Sequence, residues 1–169
     1  ECILHLCEEY GDECVSHLRG QAAFALWDRK NRKLLLARDR MGKKPVYYTI
    51  QSGTLYFASE LSALFAALPY EPEINLEAID LYLSLQYIPD PLTAYQGVYK
   101  LPPAHRLIWQ HGAAKLERYW DFAYQPKHTA SEEELIEQLR ALLKESVKMR
   151  LISEVPLGAH LSGGIDSSI

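Results

Sequence analysis

Leu161-Ser162-Gly163-Gly164-Ile165-Asp166-Ser167-Ser168-Ile169 is the stretch on which the reading of this chain turns. Before it, Glu154-Val155-Pro156-Leu157-Gly158-Ala159-His160-Leu161 reads as a turn running into a short buried strand. The two glycines let the backbone bend sharply and come close to a ligand. Asp166 and the serines after it look like the first turn of a helix. A strand, a glycine turn and a helix start make an anion cradle, because free backbone N–H groups and the helix dipole point at one spot. The Ser162, Ser167 and Ser168 hydroxyls add donors. A carboxylate at Asp166 would repel a bare phosphate, but it suits a phosphate carried with a divalent cation, which prefers carboxylate oxygen.

The plainer alternative is a Gly-Gly turn before an ordinary helix, with Asp166 and Ser167 as capping residues. The full string Ser-Gly-Gly-x-Asp-Ser behind an apolar strand argues against it. That string resembles the PP-loop of the N-type ATP pyrophosphatases, which bind the pyrophosphate part of ATP and make an acyl-adenylate. It is not a Walker loop, since no Gly-Lys-Ser/Thr triplet follows Gly164. The chain stops one residue after the motif, so we expect the sequence to be a piece of a longer protein.

The totals narrow the field. A length of 169 residues allows one domain or parts of two. Apolar content of 48% suits a globular chain. A net charge of −4 gives no reason to expect nucleic acid or an anionic membrane as partner. No apolar run reaches the ~18 residues of a membrane span, and no signal peptide is visible. Cys2, Cys7 and Cys14 lie together in helix-like sequence. Their odd count points to free thiols in a reduced, cytoplasmic setting. The six histidines show no metal-ligand spacing.

Upstream, residues 1–18 predict a helix, a break at Gly11, and a second short helix with Asp12 as N-cap. Ala22 to Trp27 is a near-continuous apolar run, the mark of a strand covered on both faces. It pairs as a hairpin with Lys33 to Arg38 across Asp28–Arg32. A second hairpin joins Pro45–Ile50 to Thr54–Ala58 around Gln51-Ser52-Gly53. Ser59 then caps a helix to about Leu68, and Asn75 caps another over Leu76–Gln86. Residues 87–103 read as an ordered loop. Ala104–Trp109 and Leu116–Trp120 are two further strands. Polar sequence at 121–130 places a domain boundary there. Ser131 and Glu134 form a capping box for a helix with the apolar stripe Leu135, Leu139, Leu142, Leu143 and Val147.

Several stretches agree on one family. Leu18-Arg19-Gly20-Gln21-Ala22-Ala23-Phe24-Ala25-Leu26-Trp27-Asp28, then Arg38-Asp39-Arg40-Met41-Gly42-Lys43-Lys44-Pro45, then Phe57-Ala58-Ser59-Glu60 resemble the later half of a class II glutamine amidotransferase domain. Lys100-Leu101-Pro102-Pro103-Ala104-His105 and Arg118-Tyr119-Trp120 resemble its end. With Leu161 to Ser168 added, the whole chain is similar to the glutamine-hydrolysing asparagine synthetases of the bacterial type. The resemblance implies an α+β antiparallel sandwich of the Ntn-hydrolase kind over residues 1–123, a linker at 124–130, and the start of an α/β PP-loop domain at 131–169.

It also implies a function. Glutamine is hydrolysed by an N-terminal cysteine. Ammonia then crosses a tunnel to an aspartyl-adenylate made from aspartate and Mg-ATP, and asparagine, AMP and pyrophosphate result. Runner-up readings are a relative acting on another carboxylate (a sugar acid, a peptide or a β-lactam precursor) and a non-catalytic regulatory module. The implied pyrophosphate site is Leu161, Ser162, Gly163, Gly164, Asp166, Ser167 and Ser168, with Asp166 meeting Mg²⁺ through the pyrophosphate. The implied partners are glutamine, aspartate and ATP, with a homodimer as an expected assembly. No catalytic residue is expected within these residues, and residues 1–169 alone are expected to be inactive. Cys2 is read as a structural thiol. The family tends to have bulky apolar residues where Gln21 and Lys43 stand, near the tunnel, whereas Leu161 keeps the expected apolar character at its far end. Gln21 and Lys43 either line a more polar passage or point elsewhere. Arg38, Asp39 and Glu60 are read as an ion-paired scaffold.

Overall fold

Two antiparallel sheets account for the first of the chain's two units, Glu1–Phe122. The structure is a computed structural model describing residues 1–168. The larger sheet runs β1 (Ala23–Asp28), β2 (Lys33–Arg38), β6 (His105–Gln110), β7 (Ala113–Arg118) in that spatial order. The smaller runs β4 (Thr54–Ala58), β3 (Tyr47–Gln51), β5 (Tyr99–Lys100). Three of the connections are hairpins, and their turn chemistry explains them. Asp28 accepts from the Asn31 backbone and side chain at 3.0 and 2.7 Å, which closes the first. Ser52-Gly53 and His111-Gly112 close the other two, all with positive φ of 48°, 74°, 53° and 76°. Two-residue turns need that conformation at both positions, and glycine adopts it at no cost.

The period-two alternation of side chains sorts β2 and β6 into two faces. Leu36 and Leu107 pair in register and turn, with Leu34 and Trp109, toward Tyr48 and Leu55 of the smaller sheet and toward Val46 and Leu101, which flank its strands. Leu35 and Ala37, with Phe24, Leu26 and Ile108, turn the other way. There they meet Leu6, Cys7, Cys14 and Val15 of α1 (Cys2–Tyr10) and the 3-10 helix Gly11–His17. Helix, sheet, sheet is therefore the layer order of this unit. Arg106, in phase with Ile108, puts a charge on the helix-facing side. Its guanidinium bonds the Asp12 carbonyl, the Glu13 carboxylate and, at 2.9 Å, Glu117. A buried cation is tolerated only with such partners.

α2 (Leu61–Ala67) and α3 (Leu76–Leu85) complete the unit. Asn75 caps α3 by accepting from the Ala78 amide at 3.3 Å. No helix among the described residues is long and apolar enough to cross a membrane.

The second unit takes in the described residues from Ala123 onward and contains α4 (Glu132–Lys148) and α5 (Ile165–Ser168). Its capping box forms as the sequence predicts: Ser131 Oγ accepts from the Glu134 amide at 3.3 Å, and Glu134 accepts from the Ser131 amide at 3.0 Å. Ser131→Ala in the full-length protein is therefore expected to cost about 1 kcal/mol in a urea melt. Ser131→Asp should recover most of it.

Four expectations are corrected. The apolar run at 22–27 is not covered on both faces. Ala25 and Trp27, on one face of β1, are exposed, and β1 is an edge strand that pairs, among the described residues, with β2. Asp12 does not cap the second helix: Tyr10 occupies that place, and Asp12 accepts from Lys33 Nζ at 2.7 Å. Ser59 does not cap α2. Glu60 precedes the helix without a side-chain cap bond. Residues 154–161 form no strand and are exposed. A strand exists only as part of a ladder, and no described segment pairs with this one.

Candidate functional site

Gly163 carries a φ of 79°, where an L side chain is strained, so the turn that launches α5 depends on it. Around it the hydroxyls close on one another. Ser162 Oγ and Ser167 Oγ lie 2.9 Å apart, and the Ser167 and Ser168 hydroxyls donate to the Gly164 carbonyl at 3.1 and 2.8 Å. Asp166, in the first turn of α5, is exposed, and so is Leu161. The structure thus gathers Ser162, Gly163, Gly164, Asp166, Ser167 and Ser168 on one tight turn. The donor set suits a pyrophosphate–cation pair, with hydroxyls for phosphate oxygens and a carboxylate for a hard divalent cation. Among the described residues, no group of three or more His, Cys, Asp or Glu side chains forms a metal cluster of its own.

The Arg38-Asp39 pair does something different from the ion-paired scaffold expected of it. The two side chains grip one backbone turn from opposite polarities. Asp39, only 7% exposed, accepts from the amides of Met41 (3.2 Å), Lys43 and Lys44 (both 3.0 Å). Arg38 donates to the carbonyls of Lys44 (2.9 Å), Gly42 (2.7 Å) and Leu101 (2.6 Å) and pairs with Asp90 at 3.2 Å. Among the described residues, only Arg38 of the three named charges is ion-paired in the expected way. Glu60 accepts from Ser62 at 3.5 Å. Burial pushes the Asp39 carboxyl up, but the amide bonds from Lys43, Lys44 and Met41 outweigh it and leave it below the usual carboxylate range. Gly42 is required by the same turn: its φ is +63°, and a Cβ there would lie 2.8 Å from Pro103 Cγ and 3.0 Å from Arg38 Cζ.

Behind this turn a cleft of about 150 Å³ opens between the sheets. Ala23, Ala25, Leu36, Val46 and Phe57 line it, with Ser59 at its polar edge. Gln21 and Lys43 are exposed and not among its lining residues. Cys2 is exposed on α1. The sequence assigned no role to Arg106 or to Tyr119, whose hydroxyl donates to the Arg38 carbonyl at 2.7 Å. The signal for Arg106 was present, since a charge in phase with the apolar residues of a strand must find buried partners.

The sequence matches the family profile described as "Glutamine amidotransferase domain" over residues 1–120 and the profile described as "Asparagine synthase" over residues 138–169. Amidase chry2 of Gibberella zeae is 39% identical over 99% of this chain and 25% of its own length. Putative asparagine synthetase (glutamine-hydrolyzing) 2 of Methanocaldococcus jannaschii is 36% identical over 99% of this chain and 33% of its own length. Asparagine synthetase (glutamine-hydrolyzing) 3 of Bacillus subtilis is 35% identical over 99% of this chain and 27% of its own length. The chain thus spans between a quarter and a third of the length of these relatives.

Proposed function

The chain belongs to the glutamine amidotransferase family, and from that premise we propose that the full-length protein is an ATP-dependent synthetase that converts a carboxylate to an amide with ammonia drawn from glutamine. The acceptor proposed is aspartate and the product asparagine. The observation that carries this reading is the co-occurrence, in one chain, of the amidotransferase match and Ser-Gly-Gly-Ile-Asp-Ser at 162–167, within residues matched as asparagine synthase. Either alone is shared with other chemistries; together they call for ammonia release and carboxylate activation in the same protein.

In this reading the Ser162, Ser167 and Ser168 hydroxyls would hold phosphate oxygens in place of their internal partners, and Asp166 would meet Mg²⁺ through the pyrophosphate. Mg-ATP supplies the leaving group that a free carboxylate lacks. Gly163 keeps the turn that lets the backbone approach. Arg38 and Asp39 act on the backbone of residues 41–44 rather than on substrate, so they are positioning residues. The glutamine-cleaving nucleophile is proposed to be an N-terminal cysteine outside these residues, and Cys2, exposed within α1, takes no part.

The similarity to amidase chry2 favours a second reading in which the same machinery serves another carboxylate. The test is product analysis of the full-length protein with glutamine, Mg-ATP and aspartate. Glutamate, asparagine, AMP and pyrophosphate are expected in matching amounts. Pyrophosphate release that ignores aspartate but follows another carboxylate would transfer the assignment to the second reading. Absence of both glutamate and pyrophosphate would reject both.

A further inference from the structure

A second cavity of the first unit, of about 400 Å³, lies where α2 ends. Three aromatic rings, those of Phe65, Tyr70 and Tyr95, line it together with Pro69, Pro72 and the charged side chain of Glu71. The local sequence builds it. α2 stops at Ala67, where the Leu68 amide donates back to the Phe65 carbonyl at 3.1 Å. Pro69 and Pro72 then keep the chain from resuming a helix, since proline has no amide hydrogen to give. The next residues are strapped to the loop that follows α3. The Gln96 amide donates to the Glu73 carbonyl at 2.8 Å, the Asn75 amide donates to the Ala94 carbonyl at 2.9 Å, and Ile74 bridges Tyr95. That strap sets Tyr95 against Phe65, ring centroids 4.6 Å apart and planes at 76°. Two walls of the cavity therefore meet at nearly a right angle. Tyr70, 37% exposed, keeps part of its ring open to solvent.

The charge around this cavity has one sign. Residues 45–99 contain six carboxylates, at Glu60, Glu71, Glu73, Glu77, Asp80 and Asp90, and no Lys, Arg or His. Lys100, the next residue, lies 3.5 Å from Asp90 and is paired with it. An anion would be repelled here, and a neutral apolar molecule would gain nothing from Glu71. Aromatic faces carry negative potential and attract cations.

We propose that this cavity binds a small organic cation of the alkylated-ammonium class, its methyl groups against Phe65, Tyr70 and Tyr95 and its charge toward Glu71. Methyl groups spread the charge and loosen its hydration, so such a head group leaves water at lower cost than a bare metal ion. A hard metal ion would also need several oxygen ligands, and the cavity offers one carboxylate.

The test uses full-length protein, with choline as the probe and 3,3-dimethyl-1-butanol as its uncharged analogue of the same shape. Binding is read by saturation-transfer NMR on the methyl protons of each. Choline is expected to bind, and the neutral analogue at least about tenfold more weakly. Tyr70→Ala, at an exposed side chain, should weaken choline about tenfold without changing the melting temperature. Should that variant fold poorly, Glu71→Gln serves instead and should weaken choline roughly fivefold while leaving the neutral analogue unchanged. No transfer to choline, equal binding of the two probes, or undiminished choline binding by the folded variant would overturn the proposal.

Discussion

Asp166→Asn in the full-length enzyme is expected to depress acceptor-dependent pyrophosphate release by ~10²–10³, the usual cost of losing one charge-stabilising contact, while glutamine hydrolysis continues near its normal rate. Asparagine keeps the size and the capping capacity of the side chain, so the short helix α5, whose first turn holds Asp166, should persist. What disappears is the negative charge that suits a magnesium ion and its phosphates. Gly163→Val should act by a different route to a similar end: at φ 79° the turn itself is strained by a β-branched side chain. Glutamate and pyrophosphate are to be measured side by side on each variant. Wild-type pyrophosphate release from a folded Asp166→Asn protein would remove Asp166 from the phosphate site and take the synthetase reading with it.

Asp39→Ala is expected to be the most destabilising single change in the first unit, on the order of 3 kcal/mol or more. Three amides, those of Met41, Lys43 and Lys44, would lose a charged acceptor in a place that water reaches poorly. The pH dependence has a definite sign. The folded carboxyl lies below its ordinary value, so its contribution is fully present above the unfolded pKa of about 4. It is lost as pH falls through the lower folded value. Urea melts from pH 7 down to pH 3 should show wild type losing stability toward the acid end. Asp39→Asn should be weaker at pH 7 and flatter across that window. Equal slopes for the two proteins would show that the amide cage does not depend on ionised Asp39.

These residues also show what could be read in advance. The hairpins were legible because alternation and turn residues are local: Ser52-Gly53 and His111-Gly112 sit where two-residue turns require positive φ. The Ser131–Glu134 box and the Asn75 cap were legible for the same reason, each depending on partners three residues away. The Arg38-Asp39 string could be recognised, but its mechanism could not. Its partners include Asp90 and Leu101, and nothing in the sequence ties them to Arg38. An apolar run such as 22–27 does not say how many strands will pair with it, and β1 proved to be an edge. The strand expected at 154–161 failed similarly, since β structure is decided by neighbours rather than by the segment. For the loop at 162–168, residue types were readable, while the inward closure of its hydroxyls onto Gly164 depends on rotamers that composition does not specify.

The return of β6 to the side of β2 constrains the order of assembly. The three hairpins are local closures, of the kind that form in ~1–10 μs. Pairing Leu36 with Leu107 instead closes a loop of about 70 residues, with the whole smaller sheet inside it. Loop-closure entropy makes that step about 2 kcal/mol more costly than a ten-residue hairpin. It is rewarded only once the Leu36–Leu107 register draws Val46 and Leu101 into contact. The rate-limiting barrier to folding should therefore lie at the β2–β6 junction. Conservative truncations at Leu36 or Leu107 should slow refolding, whereas truncations on α1, docked later onto the opposite face, should mainly hasten unfolding.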